Sequence, residues 1–290
     1  MKPKIVLIGP GRLGQAATNL LAEAGYPIAA VISRDPNRAV TAARFVGNRE
    51  AGTTDLSRAR EGNIVLLALP DDVLAEAALR LRQNDWLQPG AVLVHFSGLH
   101  PAALLNRGAA PPVLALSLHP LQTFADAVAG LHNLPGSPFS VEGEDALIPL
   151  GETLVEAMGG LPFRLRSEQK PLYHAAACVA SNYLITLAAT AGQLMAACGF
   201  AEKEALHLLI PLLKGTGRNL ITLGPKEALT GPIARGDVKT VASHLDAMAN
   251  LPEELRDIYR VMGKATVRLA LKKGTLGEQQ AEAILDLLKD

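Results

Sequence analysis

The first half of the chain alternates short, continuous apolar runs with stretches in which apolar positions recur at helical spacing. Continuous apolar runs predict strands that are buried on both faces of a sheet. Strands that alternate with helices indicate a parallel sheet covered by helices on both sides. The strands are expected at 5–8, 27–33, 63–69, 91–95 and 113–118, and the first two helices at 12–24 and 36–45.

The pattern changes in the second half of the chain. Further strands are expected at 139–141 and 162–165, on either side of a helix over 144–158, and the Pro- and Gly-rich stretch 130–138 is expected to be a loop. After Ser167 the pattern is helical only, and the first helix is apolar nearly all round, which predicts that it is buried. These helices are expected at 168–198, 201–222, 237–249, 252–273 and 277–289.

This pattern predicts two domains. The first is a doubly wound, mostly parallel α/β domain over residues 1–166, and the second is an all-α domain over residues 167–290. A length of 290 residues with 49% hydrophobic positions suits two domains with sizeable cores.

Charge and cysteine content narrow the functional class. The formal net charge is +0, so no basic field favours nucleic acid or an anionic membrane as a partner. No signal peptide is recognised, and no uninterrupted apolar run reaches the length of a membrane span. Cys178 and Cys198 form neither a disulfide framework nor a zinc site, so we expect no metal and a reducing, cytoplasmic location.

A glycine motif lies between the first strand and the first helix. The segment Gly9-Pro10-Gly11-Arg12-Leu13-Gly14 follows the strand 5–8 directly. In a Rossmann fold, the first glycine allows the tight turn, the second lets a pyrophosphate approach the backbone, and the third lets the helix pack on the strand. The helix N-terminus then supplies N–H groups to the phosphates, and Arg12 is a further candidate phosphate ligand. This context predicts a dinucleotide site.

The end of the second strand indicates which dinucleotide is bound. Ser33 and Arg34 occupy the place where NAD-binding folds usually carry an acidic residue, and a hydroxyl beside a guanidinium suits the 2′-phosphate of NADP. Asp35, next in the chain, leaves NAD open as the alternative. Leu69 and Pro70 end the strand 63–69 at the edge where cofactors bind, and either line the cofactor or simply end the strand.

Histidines stand at the ends of two later strands. His95 precedes Ser97, a candidate cofactor contact, and His119 ends the strand 113–118. Carboxyl ends of parallel strands are where α/β folds place active sites, and histidine exchanges protons near neutral pH. His119 is the stronger catalytic candidate, whereas a structural role for His95 is equally plausible.

The first helix of the predicted second domain carries polar side chains at steps of four. Lys170, His174, Cys178 and Asn182 fall on neighbouring parts of the helix surface. His174 and Asn182 need polar partners in such an apolar helix, whether structural or from a substrate. We take both as candidate catalytic residues. Asp237 is expected to cap the helix that follows it.

The motifs IGPGRLG, Ser33-Arg34, HPLQTF at 119–124 and LTGPIARGD at 229–237 together resemble a bacterial family. Its members join a Rossmann-like domain to a C-terminal helical domain of unknown function. The family is grouped with deazaflavin-dependent NADP reductases, pyrroline-carboxylate reductases and the 6-phosphogluconate-dehydrogenase C-terminal-like fold. That resemblance implies a homodimer built through the helical domain.

Two other families bear on the chemistry that the resemblance implies. Prephenate dehydrogenases have a catalytic His-Pro similar to His119-Pro120, although Gln122-Thr123 departs from their pattern. Ketopantoate reductases carry Lys and two Asn at steps of four, where this chain has His174, Cys178 and Asn182. The expected function is NADP-dependent reduction of a small 2-oxo acid, ketopantoate-like, or of an imine in the interdomain cleft. The alternative is a non-catalytic NADP(H)-binding regulatory or redox-sensing module.

Overall fold

A computed structural model of the chain describes residues 1–289, apart from the side chain of Glu202. Their backbone forms two compact units, one over Met1–Tyr183 and the other from Leu184 onwards. This division comes later than the boundary expected after residue 166. The reason is that the side chains of Lys170 and Tyr173 bond to the strands of the first unit. The boundary of an independently folding domain stays a prediction.

One mostly parallel sheet of eight strands organises the first unit, in the order β3-β2-β1-β4-β5-β6-β7-β8. All neighbouring strands are parallel except β6 and β7, which are antiparallel. The strands are β1 (Ile5–Ile8), β2 (Ile28–Ile32), β3 (Gly52–Thr53), β4 (Ile64–Leu67), β5 (Val92–His95), β6 (Leu114–Pro120), β7 (Pro138–Gly143) and β8 (Leu161–Arg164).

Two hydrophobic clusters cover the two faces of this sheet. Ile5 and Leu7 belong to one cluster, and Val6 and Ile8 belong to the other, because successive side chains of a strand point to opposite faces. The doubly wound fold expected from the continuous apolar runs is thereby confirmed. The helices of this unit are α1 (Arg12–Glu23), α2 (Pro36–Phe45), α3 (Leu74–Gln83), α4 (Ala127–Asn133), α5 (Ile148–Ala157) and α6 (Lys170–Ala180).

The loop expected over residues 130–138 was wrong in its first part, which belongs to α4. Asp126 caps this helix by accepting a hydrogen bond from the Ala129 N–H at 2.8 Å. A Cβ atom on Gly130 would lie 2.7 Å from the Cβ of Ala16 in α1. The glycine therefore serves close packing of α4 on α1, which its local sequence does not reveal.

The described residues of the second unit form helices joined by turns and loops, without a strand. Its core cluster comes mainly from its last three helices and includes Val241, Val267 and Ile284. Asp237 caps α9 by accepting from the Thr240 N–H at 3.1 Å, as expected. The helices are α7 (Asn182–Ala197), which starts at the end of the first unit, α8 (Glu202–Ala228), kinked at Gly224, α9 (Val238–Ala247), α10 (Glu253–Lys273) and α11 (Glu278–Leu287).

The helix expected over 168–198 was only partly correct. Ser181 departs from helical geometry and separates α6 from α7. The expected burial was wrong for both helices, since Lys170 is the one buried residue of α6 and no residue of α7 is buried. By length and composition alone, Ser167–Ala197 is long and apolar enough to cross a membrane. An apolar pattern indicates that a surface is shielded from water, but it does not identify what packs against that surface.

Candidate active site

The glycine turn between β1 and α1 divides its tasks among three glycines. Gly9 has a φ of 82°, and a Cβ there would lie 2.8 Å from the Ala68 carbonyl oxygen. A Cβ on Gly14 would lie 2.6 Å from the Cβ of Ala68, whereas one on Gly11 would meet nothing within 4 Å. Gly9 and Gly14 therefore let the turn pack against the end of β4. Gly11 leaves open space at the helix N-terminus, which fits the approach of a pyrophosphate.

The other predicted residues of the glycine turn lie around this space. Gly11 is the N-cap of α1 and provides no side-chain cap, and the first turn of the helix carries no acidic residue. The amide of Gln15 donates to the Pro10 carbonyl at 2.9 Å, which braces the turn. Arg12 and Leu13 are the first two residues of the helix. Leu69 lies close to Gly9, and Pro70 is exposed immediately after it.

The turn after β2 presents Ser33 and Arg34 at the same end of the sheet. Arg34 is exposed, and the Ser33 hydroxyl accepts a hydrogen bond from the Asp35 N–H at 3.2 Å. The carboxylate of Asp35 caps α2 by accepting from the N–H groups of Asn37 and Arg38. Asp35, the residue that kept NAD as an alternative cofactor, is thus engaged in the helix cap.

The structure ties Ser97 and His95 into the turn after β5. The Ser97 hydroxyl accepts from the N–H groups of Leu99 and His100, at 3.2 and 3.0 Å. The Ser97 N–H donates to Nδ1 of His95, whose ring is fully buried. Burial, together with the charge of Lys170, lowers the pKa of His95 to about 3. These bonds give both side chains a structural role in the turn. A contact between Ser97 and a cofactor stays a prediction.

His119 and His174 come together beside Gly98. Their ring centroids lie 5.9 Å apart at an interplanar angle of 83°. A Cβ atom on Gly98 would lie 2.8 Å from Nε2 of His119 and 2.7 Å from Nδ1 of His174. The missing side chain thus makes room for both imidazoles at the ends of β5 and β6. The two predicted catalytic residues thus meet although His119 lies at the end of β6 and His174 lies on α6.

The surroundings of His119 keep its ring uncharged. Nδ1 of His119 lies 2.8 Å from the Tyr173 hydroxyl. Burial, the charge of Lys170 and the nearby His174 together lower the pKa of His119 to about 4. His119 is therefore a neutral imidazole near pH 7, which donates from one ring nitrogen and accepts at the other.

His174 offers a second imidazole with different partners. Its Nε2 lies 3.8 Å from Sγ of Cys178, one helical turn further along α6. Its Nδ1 is buried and has no hydrogen-bond partner within residues 1–289. A buried, unpartnered nitrogen is costly unless a ligand or water satisfies it. Asn182 lies beyond the irregular Ser181, at the start of α7, and its place beside His174 stays a prediction.

A buried lysine beneath these histidines was not assigned any role from the sequence. Lys170 is fully buried and donates to the Ser97 carbonyl at 3.0 Å and to the Ser117 hydroxyl at 2.8 Å. Burial lowers its pKa to about 8, although the charge of Glu142 opposes this shift. Glu142 is itself buried and accepts from the Ala102 N–H. Neither Lys170 nor Tyr173 follows a motif that would mark it in the sequence.

Two family models match the chain. The Rossmann-like domain matches residues 2–120, and the domain of unknown function DUF2520 matches residues 137–266. None of the curated protein sequences matches significantly.

Solved structures share the fold over most of the chain. A protein from Bacteroides fragilis assigned as an NADP oxidoreductase is 25% identical, with a TM-score of 0.74 over 92% of this chain and 98% of its own. A protein from Thermotoga maritima is also 25% identical, with a TM-score of 0.73 over 93% and 99% of the two chains. A pyrroline-5-carboxylate reductase from Coxiella burnetii shares the fold at 17% identity, with a TM-score of 0.57 over 94% and 99%. The family resemblance is confirmed: the chain carries a Rossmann-like domain followed by a DUF2520 domain.

Proposed function

We propose that the protein is an NADP-dependent oxidoreductase that reduces a small 2-oxo acid, ketopantoate-like, or an imine. The observation that carries this proposal is the convergence of His119 and His174 beside Gly98, on the sheet that also bears the glycine turn. The fold shared with the Bacteroides fragilis protein supports NAD(P)-dependent oxidoreductase chemistry. Ketopantoate is the specific substrate that we favour.

The residues around the glycine turn fit a bound dinucleotide. The open space at Gly11 and the N–H groups at the start of α1 suit the pyrophosphate. The exposed Arg34 suits the 2′-phosphate of NADP, and Asp35 is engaged in capping α2. When bound, NADPH supplies a hydride to the carbon of a carbonyl or imine.

The two histidines are candidates to supply the proton that must accompany hydride transfer. The oxygen or nitrogen of the substrate becomes more basic as hydride reaches the neighbouring carbon, and it must receive a proton. His119 and His174 hold ring nitrogens near one point, and the unpartnered Nδ1 of His174 can bind a polar substrate group there. We assign them as the acid/base candidates and Asn182 as the residue that orients the substrate.

The test is a turnover assay with NADPH and a panel of 2-oxo acids and cyclic imines. The absorbance of the reduced nicotinamide reports the reaction. We expect His119→Gln and His174→Gln to lower kcat by roughly 100-fold or more, because each removes a proton-transferring group. His132→Gln, at an exposed position on α4, is the matched control. Tight NADPH binding without turnover of any substrate would favour the regulatory or redox-sensing module instead.

We also propose that the protein is a cytoplasmic homodimer joined through its second unit. The α7 sequence contains no charged residue and none of its residues is buried. Exposed leucine and isoleucine side chains continue along α8, and the core cluster of the unit contains no residue from either helix. Exposed apolar side chains in this number mark an interaction site, and a second copy offers the same apolar side chains by two-fold symmetry.

Light scattering during size-exclusion chromatography tests the dimer. Wild-type protein should have twice the chain mass, and Ile221→Glu on α8 should shift it to the monomer because the charge would be desolvated. Leu161→Glu introduces the same charge at an exposed position of β8 and should leave the dimer intact. A monomeric wild type, or one found only with membranes or detergent, would contradict the proposal.

A further inference from the structure

Tyr173 is the closest polar neighbour that the structure gives to the inner nitrogen of His119. Its hydroxyl lies 2.8 Å from Nδ1, and the two rings meet edge to face at 5.5 Å and 89°. The tyrosine ring also contacts Phe163 of β8 at 6.0 Å. This packing holds the phenol against one side of the imidazole, away from Nε2.

The protonation states decide which atom donates in this bond. Burial raises the pKa of Tyr173, and the low pKa of His119 keeps the imidazole neutral near pH 7. The phenol therefore has one proton to donate, and the ring carries one proton on either Nδ1 or Nε2. If Nδ1 carried it, the phenol would need another acceptor.

Ser140 is the alternative acceptor near the phenol. Its hydroxyl is close enough to Tyr173 to offset part of the rise in the pKa of the phenol. However, its Oγ is buried and makes no hydrogen bond of acceptable geometry to any described residue. Nδ1 of His119 is then the acceptor that satisfies the phenol, which leaves the imidazole proton on Nε2.

We propose that Tyr173 is a positioning residue that fixes His119 as the Nε2–H tautomer, with this N–H directed towards Gly98 and the ring of His174. Gly98 offers no side chain to meet that N–H, and Nε2 lies 2.8 Å from the position of its missing Cβ. The tautomer thus presents a donor at the point where the two imidazoles converge.

The catalytic consequence of this tautomer rests on the proposed function. As hydride from NADPH adds to the substrate carbon, the Nε2 proton moves to the substrate oxygen or nitrogen. The phenolic proton of Tyr173 moves to Nδ1 in the same step, so the ring stays neutral. Water then delivers a proton to the vacated Nε2 of His119 while the Nδ1 proton returns to the phenolate, which restores the Nε2–H tautomer and the phenol.

Nitrogen-15 NMR of the histidine rings near neutral pH tests the tautomer directly, and His119→Gln identifies the signal. We expect the Nε2–H form in the wild type and a gain of the Nδ1–H form in Tyr173→Phe, which keeps the ring but removes the donor. Ser140→Ala should leave the tautomer unchanged. Tyr259→Phe removes a matched hydroxyl, 2.8 Å from Nδ1 of His244, and should alter the signal of His244 alone.

Two NMR results would overturn the inference: an Nδ1–H tautomer in the wild type, or a shift of the tautomer in Ser140→Ala. If Tyr173→Phe does not fold, the tautomer observed in the wild-type spectrum is the deciding result. Turnover adds a separate readout, in which Tyr173→Phe should lower kcat at least tenfold with little change in KM. If the expected tautomers are observed but no substrate is turned over, the proposed function is contradicted and the inference about Tyr173 still holds.

Discussion

Gly11 and Gly98 both lack a side chain beside candidate ligand-binding groups, but a methyl group added at each would meet different surroundings. At Gly11 it would meet nothing within 4 Å. At Gly98 it would lie within 2.8 Å of ring nitrogens of His119 and His174. The first glycine keeps space open for a ligand, and the second keeps space for two side chains of the protein itself.

Alanine at these two positions should therefore separate cofactor binding from turnover. Gly11→Ala should weaken NADPH binding and leave the melting temperature nearly unchanged, because the added methyl obstructs only the ligand. Gly98→Ala should displace the imidazoles and lower kcat by roughly 100-fold, as misplacements near 1 Å do. Its cofactor Kd should stay close to that of the wild type.

Fluorescence titration with NADPH and thermal denaturation of both variants provide the measurement. Each variant is the control for the other, since both add one methyl group. Equal losses of cofactor affinity in the two variants would contradict the division of tasks.

The buried Lys170 connects elements that are far apart in the sequence. It begins α6 and donates to the Ser97 carbonyl, just after β5, and to the Ser117 hydroxyl within β6. Its charge also lowers the pKa values of His95 and His119. One side chain thus links α6 to two strands and adds to the effect of burial, which is the main cause of the lowered pKa values of His95 and His119.

Lys170→Met should raise the pKa of His119 above its value of about 4, because the charge that disfavours the imidazolium is gone. A titration of His119 by NMR measures this shift. Lys239→Met removes an exposed lysine of α9 and should leave the pKa of His119 unchanged. A pKa of His119 that does not rise in Lys170→Met would show that burial alone sets it.

The stability of the whole molecule depends on the same neutral histidines. The pKa of His119 is lower in the folded chain than the ordinary value of 6.5, so the unfolded chain takes up the proton first as the pH falls. The free energy of unfolding therefore decreases between pH 6.5 and about 4. Lys170, His174, Tyr173 and His95 are titratable groups that interact with His119.

The contribution of His119 to this acid sensitivity is about 2 kcal/mol by about pH 5. Urea unfolding of the wild type and His119→Gln near pH 7 and pH 5 measures it. The variant should lose about 2 kcal/mol less than the wild type over that interval, because glutamine takes up no proton. His132→Gln is the control at an exposed histidine, and it should lose as much stability as the wild type.

The sequence by itself determined the strand order and most of the helix order of the first unit, and it predicted the dinucleotide turn and the candidate role of His119. These features are local: a continuous apolar run is a buried strand, and glycines between a strand and a helix have a defined geometry. The short β3, the extension of α4 into the expected loop and the break at Ser181 escaped this reasoning. At Gly130, for example, packing against Ala16 overrides the local preference for a loop.

Only the tertiary structure decided what surrounds His119. Tyr173, Lys170 and Gly98 are distant from it along the chain, and no sequence motif assigns them a role beside it. Their effect depends on distances of about 3 Å and on exclusion of water, which arise when α6 packs on the ends of β5 and β6. The sequence marked the histidine as a candidate, and the packing determined its charge state and its neighbours.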